Sequence, residues 1–116
     1  MYTFEKLTVW HESLKLVDEV YILIRRLPKS EERGLADQLR RAALSIALNV
    51  AEGTGGSNRK SFASSVNVAL RSQYETIAAL KIIERLFGIK NEKAYDQAEV
   101  VGKLLHGLAR SLKTDN

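Results

Sequence analysis

The chain of 116 residues carries 45% hydrophobic and 28% charged side chains, the balance of a globular chain that folds as one domain over residues 1–116. With no cysteine it has no disulfide, thiolate metal site or cysteine nucleophile. Its net charge is +4, and it lacks both a long apolar run and a basic-then-apolar N-terminus; neither a membrane span nor a signal peptide is expected, and the cytoplasm is the expected compartment.

Leu7, Trp10, Leu14, Val17, Tyr21 and Ile24 recur at alternating spacings of three and four, the period of a packed helix. Leu16, Val20, Leu23 and Leu27 form a second stripe on the same segment, so burial over a broad arc is expected. Pro28 ends this helix, because it cannot continue the hydrogen-bond ladder and biases Leu27 away from helical geometry. After a connector from Lys29 to Gly34, a second helix is expected from Leu35 to Glu52. Gly53 is placed to take the left-handed conformation at its C-terminal cap. Ser57 or Asn58 can cap a third helix carrying Phe62, Val66, Ala69, Leu70, Tyr74, Ile77, Leu80, Ile83 and Phe87. Gly88 stops it, and Asn91 with Glu92 opens a fourth, whose inner face reads Tyr95, Ala98, Val101, Leu105, Leu108 and Leu112. Thr114 to Asn116 are expected to fray. No strand or hairpin signal competes. The expected fold is all-α, an antiparallel up-down-up-down four-helix bundle.

The second helix is unusual in setting two stripes side by side. Leu35, Leu39, Ala42, Ala43, Ile46 and Val50 are apolar and face a core, whereas Gln38, Arg41, Ser45, Asn49 and Glu52 share one polar face. Asn and Glu are costly to bury unless paired, so the polar face marks a hydrogen-bonded network, an oligomer seam or a site. With Ser72 and Glu75 of the third helix, Gln38, Ser45, Asn49 and Glu52 form the expected structural polar network.

Chemistry is scarce. A di-metal carboxylate site in a bundle needs Glu-x-x-His pairs, and neither His11 nor His106 has a carboxylate three residues before it; no metal and no cofactor are expected. GTGGSNRKS matches neither Gly-x-Gly-x-x-Gly nor Gly-x4-Gly-Lys-Ser/Thr and follows a helix instead of a strand. It reads as an interhelix turn. Serines lack a convincing partner base, so no catalytic residue is expected. Glu52 and Glu75 are better read as acceptors for Arg40, Arg41 or Arg71 than as paired acid and base.

Charge is placed unevenly. Residues 1–24 hold two cations against four acids, residues 25–90 twelve against six, and residues 91–116 four of each. Arg25 and Arg26, with Lys29 and Arg33, flank the first turn; Arg40 and Arg41 lie on the second helix, Arg59 and Lys60 at the third. Arginine suits bidentate phosphate contact, so these six, Arg25, Arg26, Arg40, Arg41, Arg59 and Lys60, are the candidate nucleic-acid contacts, by phosphate and not by base.

Phe4, Leu7, Val9, Trp10, Pro28, Leu35, Gln38, Arg40, Arg41, Ala42, the run Ser45-Ile46-x-x-Asn49-Val50-Ala51-Glu52-Gly53, and then Phe62, Ala69, Ser72 and Glu75 resemble a known pattern. It is that of the bacterial four-helix bundle family of intervening-sequence proteins, named for members encoded in insertions within large-subunit ribosomal RNA genes. The family also includes the accessory variability determinant of diversity-generating retroelements. The resemblance runs from about residue 4 to residue 112. It implies a homo-oligomer, a homopentamer, with a basic surface that binds RNA or DNA, and a reverse transcriptase as partner. The chain departs from the pattern at Arg71, where the family usually has glycine before the serine; a large cation there would perturb or recharge a close helix contact. The expectation is thus a non-enzymatic oligomeric bundle that binds nucleic-acid phosphates as accessory to a nucleic-acid enzyme. The alternative is a protein–protein scaffold or adaptor with no nucleic-acid role.

Overall fold

Helix-forming periodicity over most of the chain, broken by one proline and a few glycines, leaves little room for other structure. The computed structural model describes residues 1–113, and the fraying expected at residues 114–116 lies outside them. Four helices follow in order: α1 (Thr8–Ile24), α2 (Leu35–Thr54), α3 (Arg59–Phe87) and α4 (Glu92–Leu112), with short 3₁₀ turns at Thr3–Lys6 and Lys29–Glu31. No strand occurs among the described residues. Each helix packs against its two neighbours in the cycle α1, α2, α3, α4, with no diagonal contact, which is the antiparallel four-helix bundle. The described residues extend 47 × 24 × 19 Å, and α3, about 43 Å at 1.5 Å per residue, spans nearly the full length.

The boundaries follow from local chemistry. Asn58 caps α3 by accepting the Ser61 amide at 2.8 Å, and Asn91 caps α4 by accepting the Ala94 amide at 3.2 Å. Gly88 ends α3 at φ 67°, where its amide donates to the Glu84 carbonyl at 2.9 Å. α1 stops at Ile24, before Pro28, where the following amides of Arg26 and Leu27 close tighter i→i+3 turns onto the Leu23 and Ile24 carbonyls. Pro28 opens the following 3₁₀ turn instead. Gly53 corrects the expectation of a left-handed cap: α2 runs through it to Thr54, and Gly88 alone among the described residues has positive φ.

Gly53 serves packing. A Cβ there would lie 2.6 Å from Cδ1 of Phe62 and 3.0 Å from Cβ of Ser65, so only glycine allows α2 and α3 this close. Ala42 of α2 and Ala69 and Ala79 of α3 are also buried. Across the α3–α4 seam, Gln73 donates Nε2 to the Ala98 carbonyl at 2.9 Å, and its amide fills the notch left by Gly102. The Gln73 Oε1 is buried without a hydrogen-bond partner among the described residues. Across the α1–α4 seam, Gln97 donates Nε2 to both the carbonyl and the Oε1 of Glu12, each at 2.8 Å.

Only one of the two apolar stripes on α1 enters the core. Leu16, Val20, Leu23 and Leu27 are buried, each leucine of this kind worth about 1.5–3 kcal/mol when fully withdrawn from water. Leu7, Trp10, Val17, Tyr21 and Ile24 are half-buried at the flank, and Leu14 is exposed. Trp10 is sheltered by Phe4, whose ring meets it edge-on at 4.6 Å from the N-terminal 3₁₀ turn. That turn is held by the Tyr2 amide donating to Glu5 Oε1, and by a 2.7 Å contact between His11 Nε2 and the Glu5 carbonyl. Across the bundle, buried Ala98, Val101 and Leu105 carry the core side of α4, with Tyr95, Leu108 and Leu112 half-buried beside them.

Candidate nucleic-acid interface

The polar face of α2 meets α3 in two places. Ser72 donates its hydroxyl to Ser45 Oγ at 2.8 Å, and Asn49 Nδ2 donates to the same oxygen at 3.1 Å and to the Ser45 carbonyl at 2.8 Å. Thr76, fully buried, donates to the Ser72 carbonyl one turn further. Nearer the start of α2, Gln38 donates to Glu75 Oε2 at 3.4 Å, both side chains exposed. The structure thus joins Ser45, Asn49 and Ser72 in one cluster and Gln38 with Glu75 in another. Glu52 takes part in neither: it lies exposed and makes no side-chain hydrogen bond or ion pair among the described residues. The acceptor for Arg40 and Arg41 also differs from expectation. Asp37, one turn back on α2, pairs with both, with Arg41 Nη1 at 3.9 Å.

The six candidate phosphate contacts fall at opposite ends of the bundle. Arg25 and Arg26 follow α1, and Arg40 lies near the start of α2, so the α1–α2 hairpin brings them to one end. Arg59 and Lys60 begin α3 beside the end of α2, about 30 Å away along a helix of 20 residues. There Arg59 donates Nη2 to the Ser111 carbonyl at 2.8 Å, placing a cation on the negative end of α4. Lys60 and Arg26 are exposed.

The first end holds an open cleft of about 500 Å3 between the end of α1 and the start of α2. Arg25, Lys29 and Arg40 line it together with Glu32. Its apolar wall is Ile24, Leu27, Pro28 and Ala36, of which Leu27 and Ala36 are buried. Arg25 and Lys29 form no ion pair among the described residues, so two cations of the cleft are unneutralised. The first turn of α2, where Ala36 sits, adds the positive end of a 20-residue helix. The sequence places Arg25, Arg26, Lys29 and Arg33 together at the first turn and Arg40 with Arg41 on the second helix. The hairpin brings Arg25 and Lys29 of the first group to Arg40 of the second and sets Glu32 among them; of these, Lys29 and Glu32 were not among the six candidate contacts.

Among the described residues no three His, Asp or Glu side chains converge as a metal site, and no helix is long and apolar enough to cross a membrane. Two groups have displaced protonation equilibria. Hydrogen bonds from Gln97 and then Lys15 hold the Glu12 carboxyl below the usual range, and burial followed by the neighbouring Glu84 raises the Tyr95 phenol. Neither lies in the cleft.

Residues 5–107 match the model of the 23S rRNA-intervening sequence protein family. The chain belongs to this family. Its fold is shared with a protein of unknown function from the S23 ribosomal protein family of Bacteroides thetaiotaomicron, known from a crystal structure. The TM-score is 0.78, with 24% identity over 88% of this chain and 95% of that one. No curated protein matches. In this member of the intervening-sequence family Arg71, the departure from the expected glycine, is exposed, and the Ser45–Ser72 hydrogen bond beside it forms at 2.8 Å.

Proposed function

We propose that this protein is a non-enzymatic, oligomeric helical bundle that binds RNA or DNA through phosphate contacts. The observation that carries the reading is the convergence of Arg25, Lys29 and Arg40 at one end of the bundle, within a chain segment that holds twelve cations against six acids. Arg26 and Arg41 extend this surface, and Arg59 and Lys60 form a second basic patch at the opposite end of the bundle. Arginine and lysine displace condensed counterions from a nucleic acid, so binding of this kind is strong at low salt and weakens linearly in log salt. Membership in the family of rRNA-intervening sequence proteins supports a nucleic-acid context. Leu14 and Ile22, apolar and exposed on α1, support a homo-oligomer, and a pentamer by the resemblance described above. In the cytoplasm such an assembly acts as accessory to a nucleic-acid enzyme such as a reverse transcriptase.

The test is a titration of the nuclease-treated protein against a structured RNA and a duplex DNA at several salt concentrations. Binding with a steep log-salt slope is expected, and each of Arg25→Ala, Arg40→Ala and Lys60→Ala lowers that slope by about one. No binding at low salt would remove the reading and leave a protein–protein scaffold whose charge is incidental.

A further inference from the structure

We infer that the cleft between α1 and α2 holds a single unpaired nucleotide, so that the protein prefers single-stranded nucleic acid to a closed duplex. This inference rests on the nucleic-acid reading above and assigns a binding role to one end of the bundle. A phosphate-only surface needs cations alone. This cleft places Arg25, Lys29 and Arg40 beside a wall containing Ile24 and Pro28, and sets one carboxylate, Glu32, among them. The volume of about 500 Å3 accommodates a nucleoside phosphate, and an apolar wall with a few converging polar groups is the usual form of such a site.

The parts divide the ligand between them. Asp37 pairs with Arg40 and so orients its guanidinium, while Arg25 and Lys29 supply unneutralised charge for the phosphate. Ile24 and Pro28 offer apolar surface to the face of a base. Glu32 repels phosphate and would weaken a site meant for the backbone alone. It makes sense as an acceptor for an N–H on the Watson–Crick edge, which every nucleobase has and which a base in a duplex has already used. Reading of unstacked bases along that edge is how proteins recognise single strands. The chemistry recognised is a nucleoside phosphate, whether a free mononucleotide or an unpaired residue in a strand.

The experiment measures affinity of the full chain for a labelled single-stranded RNA heptamer and for a blunt duplex of the same sequence at equal salt. Amide NMR titrations with adenosine monophosphate and with inorganic phosphate accompany it. The expected result is at least tenfold tighter binding of the single strand, erased by Glu32→Ala, with Lys29→Ala weakening both strands. Adenosine monophosphate shifts the amides between Ile24 and Ala36 at concentrations where phosphate does not. Equal binding of both strands, unaffected by Glu32→Ala, overturns the inference while the phosphate-contact reading stands. Absence of binding to either strand removes the reading beneath it. In that case shifts by adenosine monophosphate beyond those of phosphate retain the cleft as a free-nucleotide site, and their absence overturns it. Glu32 and Lys29 are exposed and lie outside the four long helices, so neither variant disturbs the core.

Discussion

Ser72 on α3 donates its hydroxyl to Ser45 Oγ on α2 at 2.8 Å, and Asn49 donates to the same Ser45 oxygen from one turn along α2. The polar stripe of α2 is therefore half an internal clasp. Replacing Asn49 by Leu removes two donated hydrogen bonds at a partly buried site and is expected to cost about 1 kcal/mol. Urea denaturation of the wild type and Asn49→Leu reads this directly, and light scattering reports whether the assembly changes with it. An unchanged midpoint together with an unchanged mass would mean the clasp does nothing.

The close approach of α2 and α3 makes a contrasting pair of glycine substitutions informative. Gly53→Ala gains about 1 kcal/mol of helix propensity but drives a methyl to 2.6 Å from the Phe62 ring, an overpacking that costs roughly 1–3 kcal/mol. A net loss on the order of 1 kcal/mol is expected, recovered in part by shrinking the neighbour with Phe62→Leu. At Gly55 the new Cβ would meet only the Glu52 carbonyl oxygen at 3.5 Å, so Gly55→Ala is expected to leave the melting temperature nearly unchanged.

Gly88 differs from both, because its demand is conformational. Its φ of 67° with open space around the missing Cβ means that Gly88→Ala meets no clash but pays for a left-handed residue, roughly 1–2 kcal/mol. Gly88→Asn is expected to fall between alanine and the wild type, since asparagine tolerates that region, and equilibrium unfolding of the three proteins ranks them.

Glu12 gives a prediction in pH. Its carboxyl is held below the ordinary range, first by the Gln97 amide and then by Lys15, so the folded state prefers the ionised form more than the unfolded state does. That stabilisation is complete above the unfolded carboxylate value and is lost as pH falls through the depressed folded value. Gln97→Leu removes the largest cause. The Glu12 side-chain carbon should then titrate at a higher pH, and the variant should lose less stability than the wild type between neutral and acidic pH.

The bundle was legible because its signals are local. Asn58, Gly88 and Asn91 set helix ends through their own backbone or side-chain geometry, and all three act as their positions suggest. Gly53 misled because it opens a glycine-rich run, whereas its role depends on Phe62 arriving from the next helix. The same distinction governs the site. Ser45, Asn49 and Ser72 could be placed on facing stripes, but Glu52, at the outer margin of α2, turns to solvent. Arg40 and Arg41 found Asp37, a nearer acid than Glu52 or Glu75. The cleft lay beyond reach of sequence reading, since Arg25 and Arg40 meet only through the angle of the α1–α2 hairpin, and Glu32 carries no motif.

Gln73 and Gly102 have a consequence for how the chain avoids folding wrongly. A bundle of amphipathic helices is open to slippage, because sliding one helix by a turn still buries leucine against leucine. Here the amide of Gln73 is a key and Gly102 the only ward cut for it on α4 within a turn. A shift by three or four residues would present Ala98, Glu99, Leu105 or His106, each with a Cβ where the amide must lie within 2.7 Å. The Gln73 amide is the far end of a side chain that can turn aside, so its fit against Gly102 favours one alignment of α3 and α4 over its neighbours without forbidding them.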